Sequence, residues 1–154
     1  MDTQPLSSQP TLMFDIEHFK QLYKTFDNET PAQLPKLYHP TIIFKDPIHE
    51  LKGLAALTDY FANFCKQGNQ YRFEFTNEVI SHDQAFFQWH MHYAHPSLAN
   101  GKPLLLNGGT LIKFNAQIIY HEDFYDMGAM IYQHVPLLGW AVRKINARIA
   151  EHAQ

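Results

Sequence analysis

The chain has a single cysteine, Cys65, among 154 residues. One thiol excludes an intrachain disulfide framework and a cysteine-rich zinc site. Positive charge is also scarce. Twelve Lys and Arg face fifteen Asp and Glu, for a net charge of -3. That balance excludes a global nucleic-acid footprint. No apolar run approaches the roughly 18 residues of a membrane span. The opening Met1-Asp2-Thr3-Gln4-Pro5 has neither the basic nor the apolar region of a secretory signal, so a cytoplasmic protein is expected. What is present in quantity is apolar and aromatic: 45% hydrophobic residues, 14% aromatic, enough to build one packed core. Ten histidines raise metal binding, proton transfer or a pH response as questions.

Three regions are expected: a flexible tail over 1–12, a folded domain over 13–135, and a C-terminal amphipathic helix over 136–154 that packs on the domain or on a second subunit. Phe14, Phe19, Leu22, Tyr23 and Phe26 recur at helical spacing. Thr30-Pro31 starts a second short helix, and Thr41–Asp46 is a β-branched strand stopped by Pro47. Gly53 opens a third helix striped by Leu54, Leu57, Tyr60, Phe61 and Phe64, with Gly68-Asn69 closing it. The period then changes to alternation. Strands beginning at Tyr71, Ala85, Leu104 and Ile118, joined mostly by short turns, predict an antiparallel meander. Gly108-Gly109 lies inside a strand pattern and marks a bulge or a close backbone approach. After Met127 the chain is helical again, broken at Pro136. Arg143, Lys144 and Arg148 lie on the polar side of the last helix. The whole predicts an α+β fold: helices on one face of a curved antiparallel sheet, a cone with an internal pocket.

Leu37–Pro47 followed by Gly53–Leu57, the strand Leu111–Asn115, and His121-Glu122-Asp123-Phe124-Tyr125-Asp126 resemble segments of the nuclear-transport-factor-2-like (NTF2-like) cone fold, in its SnoaL-like branch of bacterial proteins. The resemblance runs over about residues 14–130. It implies a pocket for a hydrophobic small molecule. It also implies cofactor-independent acid/base chemistry of the isomerase, cyclase, dehydratase or hydrolase type, or non-catalytic binding of a ligand or protein partner.

Asp46 shares a strand face with Ile42 and Phe44 by the period of two. Aimed into the cone, it would have a raised pKa and serve as general base. Alternatively, Asp46-Pro47 is a turn whose carboxylate caps local N–H groups. The position resembles that of the proton-shuttling aspartate of ketosteroid isomerase. The two oxyanion donors of that enzyme then fall on Leu22 and Thr110, which argues against steroid isomerisation. Tyr23 stands about 100° from Leu22 around the helix. Asp123 resembles the acid/base aspartate of SnoaL-type cyclases and shares its face with His121 and Tyr125; alternatively it only accepts a structural hydrogen bond from one of them. The fold's epoxide hydrolases also need an arginine, and Arg72 beside Glu74 reads as a solvated pair. His90 and His92 share a strand face and are expected to line the pocket; with Asp123 they form a possible two-His-one-carboxylate metal set. No cofactor is expected. A homodimer is expected through the sheet face opposite the pocket, using the aromatic set around Trp89.

Overall fold

The structure, a computed structural model, describes residues 13–66 and 70–151. The tail, the Gly68-Asn69 turn and His152 lie outside the described residues. Three helices come first or are interleaved with short strands: α1 (Ile16–Lys24), α2 (Thr30–Leu37), β1 (Tyr38–Lys45), β2 (Glu50–Lys52) and α3 (Leu54–Lys66). Four long strands follow, β3 (Gln70–Ile80), β4 (Gln84–Ala94), β5 (Leu104–Phe114) and β6 (Ile118–Tyr125). Then come α4 (Met127–Met130) and α5 (Leu138–Glu151). The six strands form one sheet in the order β2-β1-β6-β5-β4-β3.

The sheet is mixed rather than antiparallel. β1 runs parallel to β6, because α3 and the long meander intervene before the chain returns beside it. The other pairings are antiparallel. β2 did not stand out in the sequence, since three residues are too few to show a period.

Local chemistry accounts for the helix ends. Asp15 caps α1 by accepting the His18 N–H at 2.9 Å, satisfying one free donor of the first turn. Lys20 pairs with Glu78 on β3 at 2.7 Å and ties α1 across the sheet edge. Gly53 adopts φ +93°, where a side chain is disfavoured, and its N–H reaches the Ile42 carbonyl at 2.8 Å. That bond seats α3 against β1.

The core lies between the concave face of the sheet and α1–α3. Phe19, Leu34, Leu37, Tyr38, Ile42, Phe44, Leu57 and Phe87 are almost wholly buried there. β4 decides which way the sheet faces. Ala85, Phe87, Trp89, Met91 and Tyr93 point inward, each at most 3% exposed. Phe86, Gln88, His90, His92 and Ala94 point outward. Burying a large apolar side chain stabilises by about 1.5–3 kcal/mol, so the phase with four large apolar groups goes in and the His-bearing phase goes out. This reverses the sequence-based expectation for both sets. His90 and His92 are not on the cavity side, and the aromatic set around Trp89 is not on the outer face.

α5 touches mainly the 3-10 turn at Tyr132–His134, and Trp140, Ile145 and Ile149 stay more than half exposed. It begins at Leu138, two residues after Pro136, because Leu137 takes φ +66°.

Candidate functional site

The concave face holds a partly open cavity of about 50 Å³. At roughly 10–15 Å³ per enclosed water, that is room for a molecule of a few heavy atoms. α1 contributes Tyr23, the loop after it Phe26, and α3 contributes Tyr60, Phe61 and Phe64. β1 brings Phe44, and Asp46 follows at its end. The far wall is Phe73, Trp89 and Met91, then Asp123 and Tyr125 of β6, with Met130 of α4 at one end. Nine of these thirteen residues are aromatic, two are carboxylates, and none is basic.

Register explains how the far wall is built. Trp89 lies opposite Gly108, and Thr110 lies opposite Asp123. The indole passes flat over Gly108, where an added Cβ would sit 2.2 Å from the ring. Only glycine permits this close approach. Having crossed Gly108, the indole N–H donates to Thr110 Oγ1 at 2.8 Å. Thr110 has one hydroxyl hydrogen, and it goes to Asp123 Oδ1 at 2.5 Å.

The same carboxylate oxygen meets His121 Nε2 at 2.9 Å. His121 is fully buried, and its Nδ1 lies 2.9 Å from the Tyr38 hydroxyl. Tyr38 in turn lies 2.8 Å from the Tyr23 hydroxyl. With Asp123 ionised and His121 neutral, the donor inventory allows one sense of flow. Tyr23 donates to Tyr38, Tyr38 to His121 Nδ1, and His121 Nε2–H to Asp123. Burial pushes the Tyr23 and Tyr38 phenols well above their usual range, so both remain protonated. Asp123 Oδ2 receives no hydrogen bond from a described residue.

Asp46 is held differently. Its Oδ1 accepts the backbone N–H of Ile48 at 2.8 Å and of His49 at 2.7 Å, and Oδ2 accepts the Tyr60 O–H at 2.8 Å. His49 Nδ1 lies 3.0 Å from both oxygens. Burial alone would raise this carboxyl, but the Ile48 N–H, the Tyr60 hydroxyl and the two His49 contacts outweigh it and hold the pKa below normal. The expectation of a raised pKa is therefore corrected. Asp46 faces the cavity as the strand period required, yet its lone pairs are committed to the turn and to Tyr60. Burial and the Asp46 charge keep the Tyr60 phenol protonated. Tyr125 is likewise raised, by burial first and then by Asp46 and Asp123.

The residues singled out from the sequence now separate. Phe44, Asp46, Asp123 and Tyr125 line the cavity. Thr110 and His121 stand directly behind it, bonded to Asp123. Leu22 is buried in the core and does not line the cavity. Its neighbour Tyr23 does, because α1 buries Leu22 and Tyr23 alike and the stripe Phe19–Tyr23–Phe26 faces the sheet. His90 and His92 lie on the far side of the sheet from Asp123, so the metal set is not assembled. Among the described residues no three His, Cys, Asp or Glu converge as metal ligands. The sequence does not mark Tyr38, Tyr60 and Trp89 as site residues: Tyr60 and Trp89 carry only the pattern of packing aromatics, and Tyr38 that of a helix end.

Comparison with known proteins follows this geometry. A sequence search of curated proteins gave no match. Among solved structures, a protein from Jannaschia sp. CCS1 described as a SnoaL-like polyketide cyclase is 14% identical, with a TM-score of 0.66 over 82% of this chain and 95% of that one. A protein of ketosteroid-isomerase-like fold from Catenulispora acidiphila, in complex with trimethylamine, is 13% identical, with a TM-score of 0.65 over 82% and 94%. An epoxide hydrolase from M. tuberculosis, of the limonene-epoxide-hydrolase-like type, is 8% identical, with a TM-score of 0.62 over 78% and 86%. Likeness at such identities shows a shared fold. Residues 19–122, more than half of the chain and all of the site except Tyr125, Asp123 and Met130, match the SnoaL-like domain, and the chain belongs to that NTF2-like family.

Proposed function

We propose that this chain binds a small molecule in its cone and performs cofactor-independent acid/base chemistry on it, with Asp123 as the group that accepts and returns the proton. One observation carries this reading. Thr110 and His121 fix Asp123 Oδ1, Oδ2 takes no hydrogen bond from a described residue, and Asp123 lines the cavity. A carboxylate oriented by two donors, with one oxygen free at an apolar wall, is arranged as a general base. His121 is a positioning residue, locked by Tyr38 behind it. Asp46 supplies fixed negative charge and holds Tyr60, but its committed lone pairs leave it unsuited to proton transfer. Isomerisation, ring closure, dehydration and hydrolysis can each begin with such a proton removal. The cavity's size supports a compact substrate, in keeping with the capture of trimethylamine by a protein of the same fold. The lack of a basic lining residue weighs against the arginine-assisted opening of epoxides.

The check is turnover of a metabolite panel by wild type and Asp123→Asn. Loss of a general base lowers kcat by about 10²–10⁴-fold. Unchanged turnover in a folded Asp123→Asn protein would remove Asp123 from the chemistry. A cavity that retains a molecule without converting it, seen by native mass spectrometry, would favour the non-catalytic binding reading.

We also propose a homodimer through the outer sheet face. That face exposes Val79, Phe86, Leu105 and Phe124 at 69%, 39%, 53% and 46%, an apolar patch that water meets unfavourably. Trp89 takes no part in it. Light scattering should give about twice 18.0 kDa, and a clean monomer at micromolar concentration would overturn the assignment. No described helix is long and apolar enough to cross a membrane.

A further inference from the structure

The chemical class of the ligand follows from where the polar hydrogens around the cavity point, granted that this cavity is the ligand site. Tyr23 spends its hydroxyl hydrogen on Tyr38, and Tyr60 spends its own on Asp46. The Trp89 N–H goes to Thr110 and the Thr110 O–H to Asp123. What these groups turn to the cavity is oxygen lone pairs and ring faces. Asp123 Oδ2 adds a carboxylate oxygen without a described donor, and Tyr125 is the one lining hydroxyl with no described hydrogen bond. No described Lys, Arg or His lines the space, and the histidine partners of the two carboxylates, His49 and His121, stand outside it. An anion would meet repulsion here. A carbonyl or alcohol would find one O–H to donate to it, that of Tyr125.

A small organic cation fits each of these features. Aromatic faces attract a cation through their quadrupoles, most strongly in a desolvated setting, and aromatic enclosures are the usual recognition device for alkylated ammonium groups. Trp89 packs edge-to-face with Phe73 at 5.2 Å, Tyr23 with Phe73 at 5.5 Å, and Phe26 with Phe61 at 5.1 Å. These contacts leave a rigid cage that need not reorganise on binding. Asp123 Oδ2 at one wall accepts an N–H from the bound nitrogen. A volume of about 50 Å³ limits the ligand to a compact group.

We infer that the cone selects a small alkylammonium ion, held by the aromatic cage and by a hydrogen bond to Asp123. This rests on the ligand-binding reading above and not on turnover. Two probes of equal shape test it by calorimetry at pH 7: tert-butylammonium chloride and tert-butanol. The ammonium should bind at least tenfold more tightly, and tetramethylammonium, which has no N–H, should fall between them. Asp123→Asn should reduce ammonium affinity at least tenfold and tert-butanol affinity by clearly less, since the alcohol loses a hydrogen bond but no charge attraction. The wild-type comparison stands even where that variant misfolds. Equal or tighter binding of tert-butanol overturns the cation assignment while keeping the cavity as a ligand site. Absence of binding by all three probes overturns the ligand site itself, and the cation assignment with it. If the ammonium binds and a metabolite panel is not turned over, the catalytic reading fails and the ligand class stands.

Discussion

Tyr38→Phe should lower stability far beyond what the loss of one oxygen from a hydrophobic core implies. The Tyr38 ring is fully buried, and its hydroxyl stands between two partners, Tyr23 at 2.8 Å and His121 Nδ1 at 2.9 Å. Phenylalanine keeps the packing and removes both contacts. His121 Nδ1 then has no donor and the Tyr23 O–H has no acceptor. An orphaned buried polar group costs about 1–3 kcal/mol, and two are created. Each kcal/mol corresponds to roughly 2–4 °C in Tm for a domain of this size. The diagnostic is non-additivity. Tyr23→Phe combined with Tyr38→Phe removes donor and acceptor together, so the double variant should lose clearly less than the sum of the singles. Denaturant unfolding of the four proteins measures this. A Tyr38→Phe protein within about 0.5 kcal/mol of wild type, or strict additivity, would show that the hydrogen bonds are not made.

The second large effect is expected at Asp46. Asp46→Asn keeps an acceptor for the Ile48 and His49 N–H groups, but the Tyr60 O–H loses its carboxylate partner. Charge-assisted hydrogen bonds contribute about 1.5–3 kcal/mol, and a loss in that range is expected at neutral pH. The pH dependence has a definite sign. The folded pKa of Asp46 is lowered, because the Ile48 and Tyr60 donors and His49 outweigh burial. Between the folded and unfolded values the unfolded chain binds more protons. The contribution of Asp46 is therefore fully present above the unfolded pKa, about 3.9, and is lost as pH falls through the folded value. Wild type and Asp46→Asn should differ most near neutrality and converge below about pH 4. Parallel curves across that range would mean that Asp46 titrates as a free carboxyl.

The sequence carried the element order and the two carboxylates because both depend on local pattern. Ile42, Phe44 and Asp46 alternate, as do His121, Asp123 and Tyr125, and alternation alone places each trio on one face. It does not say which face is concave. On β4 the polar phase was read as pocket lining, whereas the cavity wall is the apolar phase and the polar contacts come from β5 and β6. An ideal step around the helix turns Tyr23 away from Leu22, but the buried stripe of α1 is wide enough to include both. The lowered pKa of Asp46 is hidden from the sequence for a different reason. Burial is visible in a run such as Thr41–Asp46, but a neutralising donor fourteen residues away on α3 is not. The path from Tyr23 to Trp89 joins five elements distant in sequence, and no spacing rule reports it.

That path also bears on which sheet forms. Pairing of β6 is irregular on both sides, with shifts between Tyr38 and Ile43 of β1 and between Lys113 and Phe114 of β5. Such strands tolerate slippage. A slip of one residue would turn His121 and Asp123 to the outer face and bring Tyr120 and Glu122 into the core. The aromatic walls would accept part of that exchange at moderate cost. The hydroxyls of Tyr38 and Thr110 would not, since each would lose the β6 group that accepts its hydrogen, His121 and Asp123. The polar path thus raises the energy of the slipped competitor more than it lowers that of the native sheet. It acts as an assembly checkpoint for a strand whose apolar pattern alone is ambiguous.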